Sequence, residues 1–185
     1  MRRFALGAAL AVAMTAALPA HAERLSTPTS TIGVDVGTRL NLGLSGNIAS
    51  RCLLSGGGDI RFGELRGGEG ALAAFGLDCN VPFDIDIRSS RGGLAHVAKP
   101  QGEGPFSGIL EYDLRLTVPT LQPRPAMVEA SYSSRQLLTK RTLSSGNGIA
   151  AGGGSLEFRM RQPEGAGLLA GQYTETVNLT VTPQL

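Results

Sequence analysis

The stretch "TIGVDVGTRLNLGLSGNIASRC", from Thr31 to Cys52, alternates in character at every second residue. Its bulky apolar side chains fall only on even positions, which carry Ile32, Val34, Val36, Thr38, Leu40, Leu42, Leu44, Gly46 and Ile48. A period of two predicts a β-strand with one buried and one wet face. Over this length it would span roughly 55 Å, far beyond the usual 3–10 residues of a strand. One small domain is therefore not expected to cover all of it.

The first 22 residues, "MRRFALGAALAVAMTAALPAHA", have the pattern of a secretory signal peptide. Two arginines precede an apolar run, and Ala20-His21-Ala22 forms an A-x-A cleavage site. Pro19 and this site end the run before it reaches the length of a membrane span. We expect cleavage after Ala22 and export of the mature chain as a soluble protein.

The residues after the predicted cleavage site number 163 and carry 15 basic and 15 acidic side chains. This length suits one domain with a substantial core. The absence of excess positive charge argues against nucleic acid as a partner. A net charge near zero permits close association with other copies of the chain.

The chain has two cysteines, Cys52 and Cys79. In an exported protein such a pair normally forms a disulfide. Metal binding is the alternative, but the two cysteines are 27 residues apart and lack histidine support. We predict the disulfide.

Further alternating runs follow the cysteines, and glycine-rich loops separate them. They include "FDIDI" from Phe83, "ILEYDLRLTVP" from Ile109, "SLEFRMRQ" from Ser155 and "GQYTETVNLTVTPQL" from Gly171. No stretch reads as a convincing helix, because glycines interrupt the best candidate, residues 66–74. The pattern predicts an all-β sandwich.

Catalytic motifs are almost absent from the sequence. After cleavage, His96 is the only histidine, and it is expected in a solvated loop. No G-x-S-x-G motif accompanies it, and no phosphate-binding loop follows the glycine runs. Asp84 and Asp86 are expected on the wet face of a strand. The sequence predicts neither an enzyme nor a cofactor or metal site.

The end of the chain has one strand too few for a seven-stranded immunoglobulin-like sandwich, because only Gln184 and Leu185 follow the last run and its closing Pro183. Such a domain would expose an apolar groove and an unpaired strand edge. The N-terminal ribbon is a surplus strand. The extra N-terminal strand and the missing last strand are both explained if the N-terminal strand of one copy fills the groove of the next.

The sequence resembles pilins of the chaperone–usher class, especially the archaic branch related to spore coat protein U. The similarity rests on "VDVGTRLNLGLSG" before the first cysteine, "FG" at Phe62-Gly63, "FGLDCNVPFDIDI", "LEYDLRL" and the terminal "AGQYTETVNLTVTP". The middle, from about Thr120 to Gly154, matches only loosely, and "PTLQPRP" interrupts its apolar pattern. The resemblance covers essentially all of the chain after the leader.

The resemblance implies a structural subunit of a surface pilus, with an incomplete immunoglobulin-like β-sandwich that lacks its last strand. Residues 1–22 would be the signal peptide, 23–37 an N-terminal donor strand and 38–185 the sandwich. Ile32, Val34 and Val36 would enter a neighbour, and the acceptor groove would be lined by Leu40, Leu42, Leu44, Val177, Leu179 and Val181. The implied partners are a periplasmic pilus chaperone, an outer-membrane usher and other subunits, including copies of itself.

Two alternative functions remain for the same residues. The N-terminal strand could fold back into its own groove, giving a self-complemented secreted binding module or coat protein. A sugar-binding tip adhesin usually needs a second domain, which 163 residues do not provide. An enzyme fits least well.

Overall fold

The structure is a computed structural model that describes residues 41–150 and 152–184. All of its strands lie in one compact unit, Gly46–Leu185. The predicted donor residues Ile32, Val34 and Val36, and the predicted groove residue Leu40, lie outside the described residues.

The described part of the chain is built from eleven strands. They are β1 (Cys52–Gly56), β2 (Gly70–Cys79), β3 (Phe83–Ser89), β4 (Leu94–His96), β5 (Ile109–Leu110), β6 (Tyr112–Thr120), β7 (Ala126–Ser133), β8 (Arg141–Ser144), β9 (Gly154–Met160), β10 (Tyr173–Thr174) and β11 (Val177–Pro183). A single 3-10 turn, Gln136–Leu138, is the only helical element among these residues. The predicted all-β class is confirmed.

The strands form three antiparallel sheets. The largest has the order β1-β2-β9-β6-β7, the second β11-β3-β8, and the smallest β10-β4-β5. In the described structure, β1 and β11 are therefore edge strands of the two larger sheets.

The two larger sheets share one hydrophobic core. Strands β3, β6 and β9 contribute alternate side chains to it, namely Phe83, Ile85, Ile87, Tyr112, Leu114, Leu116, Val118, Leu156, Phe158 and Met160. Because the intervening residues of these strands face outward, the alternation seen in the sequence sets which face is buried.

Residues 41–51 differ from the β-strand that the alternation from Thr31 to Cys52 predicts. The structure assigns them no strand, and β1 begins only at Cys52. Leu42, Leu44 and Ile48 are 76%, 90% and 86% exposed. Alternation produces a strand only where another strand pairs with it, and residues 41–51 pair with none of the described strands.

Cys52 and Cys79 form the predicted disulfide. They are directly opposite each other in the β1–β2 ladder. Because β1 is an edge strand with β2 as its described partner, the disulfide fastens this edge to the sheet.

Candidate functional site

A cleft of about 820 Å³ opens between the two larger sheets. Strands β1, β2, β6 and β9 and the loop after β1 line it from the larger sheet, and β11 lines it from the other. Its apolar lining consists of Leu54, Ile60, Phe62, Leu72, Ala73, Ala74, Phe75, Leu94, Leu156, Phe158, Met160, Val177 and Leu179. We call this cleft the β1–β11 groove.

The backbone of β11 has one unpaired edge among the described strands. Ser90 N–H donates to the Thr176 carbonyl at 3.0 Å, and Gln184 N–H donates to the Pro82 carbonyl at 2.8 Å. Hydrogen-bonded pairs alternate in an antiparallel ladder, so the even-numbered residues of β11 bond to β3. The N–H and C=O groups of Val177, Leu179 and Val181 consequently point away from β3.

The side chains of the same three residues are only half-buried, although they pack against the core. Their pairing partners across β3 include Ile85 and Ile87, which are fully buried. The core is thus covered over β3 and left partly open over β11. An added strand along β11 would bury these side chains and pair these backbone groups together.

One end of the groove is polar, because Tyr173 and Glu175 line it beyond Val177. The Glu175 carboxylate accepts hydrogen bonds from the hydroxyls of Ser89 and Ser90 at 2.8 and 2.5 Å. It also accepts from backbone N–H groups, those of Ser90, Arg91, Gly93 and Thr176, at 2.6–3.2 Å. This carboxylate connects the residue just before β11 to the β3–β4 loop. Both of its oxygens already accept hydrogen bonds.

Tyr112 contributes to the groove lining and is 1% exposed. Its Oη is the one buried side-chain polar atom without a hydrogen-bond partner among the described residues. Burial raises the pKa of Tyr112 to about 12, with the Glu175 charge adding to the rise and Ser89 opposing it. The nearby Ser89 hydroxyl donates to Glu175 and accepts from Gly92 N–H at 2.8 Å, which leaves one of its two lone pairs free.

His96 was expected in a solvated loop, and that prediction is wrong. It ends β4 and is 7% exposed, with Nδ1 accepting from the N–H groups of Ala98 and Lys99 at 3.1 and 3.0 Å. Its Nε2 lies 3.2 Å from the Ala170 carbonyl. A side chain at Gly171 would come within 2.1 Å of this nitrogen, so glycine is required there. The histidine holds the β4–β10 region together.

The aspartates of β3 are bonded within the protein. Asp86 accepts from Lys140 Nζ at 2.7 Å and Thr142 Oγ1 at 2.5 Å, and these bonds hold its pKa below the ordinary value. Asp84 accepts from Gln184 Nε2 at 2.6 Å. Over residues 41–150 and 152–184, no group of three or more acidic, histidine or cysteine side chains could hold a metal ion.

The structure brings only part of the predicted groove together. Val177 and Leu179 line it, and Val181, two residues further along, packs against the core outside the lining. Sequence reasoning missed Phe75, Phe158, Tyr112 and Glu175 as groove residues. The one available signal was "GQYTETV", whose odd positions place Tyr173 and Glu175 in phase with Val177.

Comparison with protein-family models, with curated proteins and with solved structures finds no match. No helix within the described ranges is long and apolar enough to cross a membrane.

Proposed function

We propose that this chain is a structural subunit of a surface pilus or coat, assembled by donor-strand exchange through a chaperone–usher pathway. Its domain is an incomplete immunoglobulin-like sandwich, and its missing strand comes from residues 23–37 of another copy. The observation that carries the proposal is the unpaired edge of β11 beside the open apolar β1–β11 groove.

The N-terminal segment has the chemistry that this groove needs. An inserted strand must offer free backbone groups to β11 and apolar side chains at every second residue. Ile32, Val34 and Val36 meet the second requirement, with Gly33 and Asp35 on the outward face. Burying each of the three stabilises the complex by roughly 1.5–3 kcal/mol.

The stretch between the donor segment and the first observed strand, β1, is long enough to reach a neighbouring molecule. Fourteen residues, 38–51, separate Gly37 from Cys52. Fully extended, they span roughly 50 Å, more than the diameter of a small domain. Residues 41–51 form no strand, which agrees with a connecting role.

The Cys52–Cys79 disulfide supports an oxidising compartment, and the predicted leader supports export. The subunit would pass through the periplasm, where a chaperone strand covers the groove. An outer-membrane usher would then exchange that strand for the donor strand of the next subunit at the cell surface.

The test uses the chain from Glu23 onward. Expressed alone, it should aggregate or form ladders of multimers, because the β11 edge is open. Coexpression with a strand-donating chaperone should give a one-to-one complex. The variant Val34→Asp should stop multimer growth, since an unpaired carboxylate cannot enter the groove without cost, whereas Asp35→Asn on the outward face should not. A monodisperse monomer without any partner would contradict the proposal.

The second candidate is the self-complemented module, because the same chain carries both groove and donor segment. The two functions separate in a mixing experiment with two fluorescently labelled populations. Strand exchange between copies brings the labels together as concentration rises. A self-complemented monomer keeps them apart at all concentrations.

A further inference from the structure

Strand β7 ends the larger sheet at the opposite end from β1, and β6 is its one partner among the described strands. The β6–β7 ladder runs without interruption from the Asp113–Ser133 pair to the Thr120–Ala126 pair. Residues 126–133 contain no proline and no lysine, two residues that commonly block a free edge. A long, regular and open edge of this kind is a template for another strand.

The free backbone groups of this edge belong to odd-numbered residues. Ser134 N–H donates to the Tyr112 carbonyl at 2.8 Å, and hydrogen-bonded pairs alternate along an antiparallel ladder. The even-numbered residues of β7 therefore bond to β6. The N–H and C=O groups of Met127, Glu129 and Ser131 point to the open edge.

The inward side chains of β7 are self-complementary about Ala130. A second β7, related by a two-fold axis at Ala130, would place Val128 opposite Tyr132 of the second copy and Ala130 opposite itself. An aromatic ring beside a β-branched side chain is a favourable cross-strand pair, and alanine leaves room at the axis. Val128, Ala130 and Tyr132 are only partly buried in the single chain, so this pairing would bury them further.

The same pairing brings opposite charges together on the outer face. Arg115 and Glu129 are exposed and form no ion pair within residues 41–150 and 152–184. Arg115 lies opposite Ser131 in the β6–β7 ladder. The axis at Ala130 puts Glu129 of the second copy on the other side of this short serine. The two backbones are then two strand spacings, about 10 Å, apart, which the two long side chains span together.

The charges also select this register. An axis at Glu129 would set two carboxylates directly opposite each other, which is destabilising. An axis at Ser131 would bring Glu129 beside Ser133, whose β6 partner is Asp113. Of these three axes, the one at Ala130 places the glutamate in the same row as a cation.

We propose that β7 is an interface between two copies of this chain, which join edge to edge in antiparallel orientation about a two-fold axis at Ala130. Arg115 of each copy pairs with Glu129 of the other. The inference does not depend on the proposed function, because β7 and β1 lie at opposite ends of the sheet. A two-fold interface closes at two copies, whereas strand exchange builds longer chains, so size separates the two contacts.

A cysteine scan tests the register in the full chain from Glu23, with Val34→Asp to suppress strand exchange. Ala130→Cys should give a disulfide-linked dimer on mild oxidation, because Cα atoms about 4.5 Å apart in a non-hydrogen-bonded pair can be bridged. Glu129→Cys and Ser131→Cys are the controls. Each should stay unlinked, since its Cα would lie about 8–9 Å from the same atom of the second copy. Peptide mapping by mass spectrometry identifies the linked residues.

A charge-swap mixture tests the ion pairs in the same Val34→Asp chain. Glu129→Arg and Arg115→Glu should each weaken dimerisation about tenfold, because each variant places two pairs of like charges across the interface. A one-to-one mixture of the two variants should dimerise about as well as the parent chain, since the mixed dimer regains two attractive pairs. Mixing cannot repair a defect within either single chain. Sedimentation velocity over a concentration series measures the dimer.

Three results would overturn the inference. A Val34→Asp chain that stays monomeric at all concentrations, with no link at Ala130→Cys, excludes the interface and leaves the proposed function unaffected. Linkage through Glu129→Cys or Ser131→Cys instead assigns a different register. A mixture that dimerises no better than the single variants excludes the Arg115–Glu129 pair.

Discussion

Leu179 and Ile87 lie directly opposite each other in the β11–β3 ladder, yet Ile87 is fully buried and Leu179 remains half-buried in the wall of the groove. Residues that lie opposite each other on one face of a sheet are normally buried to a similar extent. This difference in burial shows that the core is partly exposed along β11.

Replacing Leu179 with Ala should weaken the binding of a donor peptide about tenfold, because apolar surface that the peptide would bury is lost. Stability should fall by only about 1–2 kcal/mol, since the side chain is half-buried and fully buried leucines cost 2–5 kcal/mol. Peptide titration and urea unfolding measure the two effects. The control is Asn178→Ala, whose exposed side chain faces outward. Equal effects of both substitutions on peptide affinity would contradict the site.

Replacing both Cys52 and Cys79 with Ser should lower the free energy of unfolding by about 2–5 kcal/mol. The disulfide closes a loop of 27 residues and fastens the edge strand β1 to β2. Urea unfolding of the variant and of the reduced natural protein should give the same loss. Labelling of two free thiols in the exported, unfolded protein would show that the bond is not formed.

Tyr112 should make stability fall in alkaline solution. Its pKa is raised to about 12 in the folded protein, whereas an exposed tyrosine titrates near 10. The contribution is therefore fully present below pH 10 and is lost as pH rises toward 12, by about 2–3 kcal/mol. Urea unfolding at several pH values should show a shallower decline for Tyr112→Phe. Identical slopes for the two proteins would contradict the assignment.

Glu175→Ala should destabilise the protein by about 2–4 kcal/mol, because buried hydroxyl and N–H donors of the β3–β4 loop lose their acceptor. Glu157→Ala on the outer face of β9 is the control and should change stability by less than about 0.5 kcal/mol. Thermal unfolding compares them. A similar small effect of both would mean that the carboxylate does not hold β11 in place.

Strong alternation made part of the fold predictable. Strands β3, β6, β9 and β11 were expected because large apolar side chains alternate with charged or polar ones. In β2 the contrast is weak, since the inward residues include Ala71 and Ala73 while outward Leu72 is apolar and 71% exposed. The contrast between inward and outward residues is also weak in β7, where Met127 is exposed and Ala130 faces inward.

The site depends on contacts between distant segments, which the sequence does not display. The groove role of Val177 and Leu179 was implied by the resemblance to pilins. The acceptor role of Glu175 depends on the approach of the β3–β4 loop, more than 80 residues earlier in the chain. Burial of His96 likewise depends on Ala170 and Gly171 closing over it. The local sequence pattern does not show which distant segments come into contact.

The most direct measurement of the central claim is amide hydrogen exchange of β11, followed by NMR with and without the peptide of residues 29–40. The full chain from Glu23 with Val34→Asp serves as the acceptor. Binding should slow exchange at Val177, Leu179 and Val181, whose N–H groups point to the open edge, while Asn178 and Thr180 are already bonded to β3. Unchanged exchange at the three odd-numbered residues under saturating peptide would contradict strand insertion along β11.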